Sequence, residues 1–239
     1  PALLWSQGIP FIRNYSAASY NAHKQNFDII TGPDGTVYVA NFEGLIYFDN
    51  AQWRIIHTPG ITRITAVFRD SKGRVWAGGY NYMGYVTPDK HGKLQLETLD
   101  ENQTIQGEVQ WIWEGEGRVS FLVSDGKIYD VRDNDVVWNK QGTLPKSGFT
   151  TLGTEHHVTQ IQQLENGLSA VSTTGEGLYI TNQDGDVIYK ITEANGLCSN
   201  NITHITYNGN GTLWGATDNG VFSIAIPSVY SHFTANEGL

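Results

Sequence analysis

Residues 202–224 read ITHITYNGNGTLWGATDNGVFSI, and residues 64–86 read ITAVFRDSKGRVWAGGYNYMGYV. Both pass from an alternating apolar stretch through a polar glycine turn to an aliphatic-Trp pair, and both place another glycine about ten positions on. The same phrase recurs as NFDIITGPDGTVYVANFEGLIYF (26–48), EVQWIWEGEGRVSFLVSDGKIYD (108–130) and VTQIQQLENGLSAVSTTGEGLYI (158–180). The first turn glycines, Gly35, Gly73, Gly117, Gly167 and Gly211, are separated by 38, 44, 50 and 44 residues. A second set, Gly44, Gly84, Gly126, Gly177 and Gly220, keeps step with them. A repeat of this length that holds only period-two signals predicts propeller blades, because helical arrays of similar period carry a 3.6-residue pattern.

Within each repeat the turn chemistry fixes the strands. In the fifth, Ile202–Tyr207 is strand a, the NGNG segment supplies a tight turn, Thr212–Ala216 is strand b, TDNG turns again, and Val221–Ile226 is strand c. Strand d, the outer one, falls near Tyr230–Phe233. Trp76 and Trp214 hold the same place on strand b, which Tyr38, Ser120 and Ser169 take in the other repeats. Large aromatics there are expected to wedge one blade against the next.

Composition agrees. The chain has 27 glycines, 12% aromatic and 16% charged residues, the profile of turn-rich all-β material. Its formal net charge of −9 works against binding nucleic acid or anionic lipid. No run of some 18 apolar residues and no charged leader is seen, so no direct membrane contact is expected of this chain. Cys198 is the single cysteine and lacks the partners a disulfide or zinc site needs.

The segments DSKGRVWAGG and GNGTLWGATDNGVFSI, with the lead-in NGLCSNNITHI, resemble the two-component regulator propeller repeat. Such repeats occur in periplasmic sensor regions of bacterial hybrid histidine kinases and related membrane-anchored regulators, including oligosaccharide sensors of gut Bacteroidetes. The resemblance implies a non-catalytic ligand-sensing domain in the periplasm, part of a membrane-anchored protein. It implies an extracellular glycan or other small ligand, and self-association within the full-length sensor. Two readings stand beside it, a polysaccharide-active propeller enzyme (glycosidase or lyase) and a protein-interaction scaffold.

The expected fold is therefore an all-β propeller of four-stranded antiparallel blades. Five fall in this chain, at about 26–60, 63–100, 107–145, 157–195 and 201–235. The linker YKITEANGLCSNN (189–201) aligns with RNYSAASYNAHKQ (13–25), which makes residues 9–16 an orphan outer strand. Six outer strands against five sets of a, b and c predict an interrupted array, part of a ring of about seven blades.

Counting ten residues back from each a–b glycine gives Gln25, Arg63, Gly107, His157 and Asn201 at the starts of the inner strands. Gln25, Arg63, His157 and Asn201 can hydrogen-bond a ligand at the channel mouth. The turn YNYM (80–83) reads as a longer projecting loop, on which Tyr80 and Tyr82 stack a sugar ring while Asn81 binds hydroxyls. No catalytic residue, cofactor or metal site is expected. His156 and His157 are adjacent and face opposite sides of a strand, and no hydrolase, phosphate-loop or EF-hand spacing occurs.

Overall fold

The computed structural model describes residues 9–99, 105–132, 135–139, 157–226 and 231–232. The chain divides into two compact units, Ala17–Phe149 on one side and Pro1–Ser16 with Thr150–Leu239 on the other.

The first unit holds three antiparallel four-stranded sheets. To number strands along the chain, two short N-terminal ones come first: β1 (Ile9–Pro10) and β2 (Ile12–Tyr15), both in the second unit. The first sheet is β3 (Asn26–Thr31), β4 (Val37–Asn41), β5 (Gly44–Phe48) and β6 (Trp53–Ile56), in that order. The second is β7 (Ile64–Arg69), β8 (Val75–Gly79), β9 (Tyr82–Pro88) and β10 (Leu94–Thr98). The third is β11 (Val109–Gly115), β12 (Arg118–Val123), β13 (Ile128–Arg132) and β14 (Asp135–Asn139). A single helical turn, α1 (Ala17–Tyr20), precedes them.

The second unit holds two more such sheets. One is β15 (Val158–Gln163), β16 (Ser169–Thr173), β17 (Leu178–Thr181) and β18 (Val187–Ile191). The other begins β19 (Ile202–Tyr207), β20 (Thr212–Thr217) and β21 (Gly220–Ala225). Its fourth strand is β2, which pairs Ile12 with Ile224 and Tyr15 with Val221. The orphan expectation for residues 9–16 is thus corrected, because Ile12–Tyr15 within them close the fifth sheet. The strand expected near Tyr230–Phe233 does not attach there. Its described part, β22 (Ser231–His232), pairs with β1.

Every strand a carries the same irregularity. The register slips between Asn26 and Asp28, Ile64 and Ala66, Val109 and Trp111, Val158 and Gln160, and Ile202 and His204. Such bulges leave one residue outside the ladder and re-aim its side chain. At two of them the freed threonine reaches the next sheet: Thr65 Oγ1 donates to the Val109 carbonyl at 2.6 Å, and Thr159 Oγ1 to that of Ile202 at 3.0 Å. One residue further on, Asp28 and Gln160 accept the neighbouring strand's Val67 and Ile205 N–H groups, at 2.9 and 2.8 Å. These links repeat from sheet to sheet, so the period seen in the sequence is also a period of inter-blade bonding.

Between sheets the core is apolar. Trp76 is buried, edge-on to Phe121 of the third sheet at 6.1 Å. Phe121 is fully buried, worth roughly 2–3 kcal/mol of burial. Trp214 is buried as expected, but it stacks at 5.5 Å on Tyr15 of β2, inside its own sheet. In the fourth sheet the register gives the tryptophan position to Ala170 rather than Ser169, since Ala170 pairs with Gln162 as Trp76 pairs with Phe68.

Candidate functional site

The b–c turns and the residues just before each strand a meet through one recurring hydrogen bond. The first N–H of the turn donates to the carbonyl of the residue preceding the strand: Phe42 to Gln25, Tyr80 to Arg63, Ser124 to Glu108, Thr174 to His157 and Asp218 to Asn201. The equivalent residues are therefore Gln25, Arg63, Glu108, His157 and Asn201. In the third repeat Glu108 replaces the counted Gly107, because its a–b hairpin is one residue shorter. Glu116 and Gly117 turn it with φ of 51° and 74°, and Gly115 pairs with Arg118.

Of the residues expected to bind, the first unit brings Tyr80 and Asn81 together with Arg63, and adds Glu108. Arg63 Nε donates to Glu108 Oε1 at 2.8 Å and its Nη2 to Glu108 Oε2 at 3.2 Å, a bidentate pair in which each side chain is a third exposed. Its guanidinium carbon lies 5.1 Å from the Tyr80 ring centre. The Glu108 hydrogen bonds hold the guanidinium more firmly protonated than an ordinary arginine, against the smaller opposing effect of burial. Asn81 takes a positive φ of 53° and is clamped to Gly107 twice: its Oδ1 accepts the Gly107 N–H and its own N–H donates to the Gly107 carbonyl, both at 2.8 Å. Tyr80 is left 44% exposed, a ring braced on one side by Arg63. Phe42, at the equivalent turn position of the first blade, is also exposed and contacts His23 at 4.7 Å.

Tyr82 is not part of this surface. The turn is only two residues long, Gly79 pairing with Tyr82 just as Asn41 pairs with Gly44 and Thr217 with Gly220. The expectation of a projecting loop with two tyrosines is corrected: Tyr82 is the first residue of β9 and is buried, with its hydroxyl donating to the Glu97 carbonyl at 3.4 Å. Burial pushes its phenol above the usual tyrosine range. Gly84 makes room for that ring, since a Cβ there would stand 2.2 Å from the Tyr82 hydroxyl. The matching glycine in the second repeat thus serves a different purpose from Gly44 and Gly220.

Gln25 is half-buried, and its carbonyl accepts from Asn41 Nδ2 at 3.2 Å. His157 and Asn201 belong to the second unit. His157 is exposed. Asn201 Nδ2 donates to Asp218 Oδ2 at 2.9 Å, and its N–H to Ser199 Oγ at 3.0 Å. His156 lies outside the described residues. Sequence counting missed Glu108 as Arg63's partner; the signal was available in the shorter EGEG turn.

Among the described residues no group of three or more His, Cys, Asp or Glu is placed to hold a metal ion. No helix among them is long and apolar enough to cross a membrane. Cys198 has its thiol pushed up chiefly by burial, with Thr217 Oγ1 at 3.6 Å.

Residues 59–81, the segment that carries Arg63, Asp70, Trp76 and Tyr80, match the family model described as two component regulator propeller. The chain carries a two component regulator propeller repeat. No curated protein sequence matches the chain. Among solved structures, the WD40 β-propeller domain of Doa1 superposes with a TM-score of 0.52 at 15% identity, over 90% of this chain and 98% of that one. A candidate gluconolactonase gives 0.52 at 12% identity, over 94% and 93% of the two chains. These two likenesses show the propeller fold. The extracellular domain of a candidate hybrid two-component system from B. thetaiotaomicron is 19% identical, with a TM-score of 0.44. That match covers 96% of this chain, which spans 31% of the length of that domain.

Proposed function

We propose that this propeller segment is the non-catalytic ligand-sensing part of a periplasmic two-component signalling protein, and that its ligand is an oligosaccharide. The observation that carries this reading is the Arg63 cluster on the propeller repeat. An exposed Tyr80 ring is held by a guanidinium, beside a carboxylate and the Asn81 amide, on the face formed by the b–c turns. Sugars need this combination, an aromatic surface for the C–H face and fixed polar groups for hydroxyls. Sensing follows if the ligand favours one arrangement of paired sensor domains over another, since a ligand shifts an equilibrium only by its differential affinity.

The test is a glycan-array screen followed by calorimetry on the best ligand. Tyr80→Ala should weaken binding by about tenfold, the loss of roughly 1.4 kcal/mol, and Arg63→Ala should do likewise. Unchanged affinity in both variants, or a ligand seen bound on the a–b hairpin face, would refute the assignment.

A further inference from the structure

On the opposite side of the second and third blades, where the a–b hairpins emerge, lies a cavity of about 440 Å³. Its walls come from the Asp70–Trp76 hairpin of one blade and from Glu114, the Gly117–Val119 turn and the Val131–Arg132 strand end of the other. The two walls are tied together at the rim. Glu114 accepts the Ser71 N–H at 2.8 Å through Oε2 and the Ser71 hydroxyl at 2.7 Å through Oε1.

The lining holds four cationic side chains, Lys72, Arg74, Arg118 and Arg132, against two carboxylates, Asp70 and Glu114. Asp130 and Glu116 pair with Arg118 just outside the lining, so cations and carboxylates are balanced around this cavity in a chain of net charge −9. The two lining carboxylates point their lone pairs at other donors. Asp70 is buried and accepts the N–H groups of Lys72 and Arg74 and the Trp76 indole, and Glu114 is occupied by Ser71.

The arginines are held in place by their surroundings. Arg74 lies over the rings of Tyr85 and Trp76, at 4.6 and 5.3 Å, contacts that support the guanidinium through its face. Arg118 is oriented by Asp130, 3.0 Å away, and by Glu116 on the neighbouring turn. Lys72 and Arg132 are exposed at the rim, and no ion pair of either is found among the described residues.

We propose that this inter-blade cavity is a second ligand site, for a small organic or inorganic oxyanion. Its volume falls in the range of small-molecule pockets. A guanidinium suits a carboxylate, phosphate or sulfate because its geometry matches two oxygens at once, and the rim cations Lys72 and Arg132, with no ion pair among the described residues, are the ones placed to meet it. The site is distinct from the Arg63 cluster: it uses other residues and the other face of the blades, and it stands whether or not the sugar assignment does.

The experiment is isothermal calorimetry on the full 239-residue chain at low ionic strength, with glucuronate, inorganic phosphate and glucose as probes. Glucuronate or phosphate should bind saturably with a Kd of about 1 mM or tighter, and glucose should not compete. Binding of glucuronate alone identifies a sugar acid, and binding of both identifies the oxyanion itself.

The double variant Lys72→Gln/Arg132→Gln keeps the buried groups untouched and should weaken binding by about tenfold. The equally charge-reduced Lys90→Gln/Lys93→Gln, on an exposed outer turn, should stay within about twofold of wild type, as expected where local contacts rather than net charge decide. Failure of both anions to bind saturably, or equal losses in the two double variants, would overturn the proposal.

Discussion

Removing the carboxylate of Asp70 tests why the repeat signature pairs an aspartate with a tryptophan six residues on. One carboxylate does three jobs in the second blade. Its Oδ1 accepts the N–H groups of Lys72 at 3.0 Å and Arg74 at 2.8 Å, which fixes the hairpin, and its Oδ2 accepts the buried Trp76 indole at 2.9 Å. In Asp70→Ala the two turn N–H groups lie near the surface and recover water, so each costs little. The indole is left as a buried donor without its acceptor, which costs about 1–3 kcal/mol. Together the loss should be about 2–4 kcal/mol, lowering Tm by roughly 5–15 °C for a chain of this size.

Denaturation followed by far-ultraviolet circular dichroism measures this without relying on tryptophan emission. A double-mutant cycle with Trp76→Phe should show a coupling of about 1–2 kcal/mol. Asn208→Ala is the internal comparison. Its Oδ1 holds the same two turn positions, Asn210 at 3.1 Å and Thr212 at 2.9 Å, and its loss should cost only about 1 kcal/mol. An Asp70→Ala protein within about 0.5 kcal/mol of wild type, or an absence of coupling to Trp76, would refute the reasoning.

Deleting residues 1–16 should uncover the β21 edge and the buried Trp214 that Tyr15 covers, lowering Tm and promoting self-association by light scattering; a monomer of unchanged Tm would contradict the strand assignment. Cys198 should react slowly with a thiol reagent at pH 8, because burial raises its pKa and leaves less thiolate than an ordinary cysteine. Its rate should climb further with pH than that of a free thiol of normal pKa, and labelling as fast as that thiol would contradict the burial.

Much of the architecture was legible before any coordinates. Strand signals recur with the turn glycines, so the all-β class follows from local chemistry: Asn26, Ile64, Val158 and Ile202 open inner strands directly after the counted Gln25, Arg63, His157 and Asn201, whereas Val109 follows Glu108 and not the counted Gly107. Trp76 also read correctly as structural: it is buried against the next blade, and its indole donates to Asp70, a near neighbour in the chain.

What the sequence could not decide is where residues distant in the chain meet. That β2 completes the fifth sheet depends on pairing Tyr15 with Val221, some two hundred residues away, and a strand's sequence does not name its partner. Tyr82 looked like a loop residue because Gly84 was read as the turn glycine; the ladder shows that Gly84 instead yields space to the Tyr82 ring. The pairing of Arg63 with Glu108 and the gathering of Lys72, Arg74, Arg118 and Arg132 around one cavity arise between blades. Period and turn chemistry act over a few residues and are written locally, whereas a site is made by packing one repeat against the next.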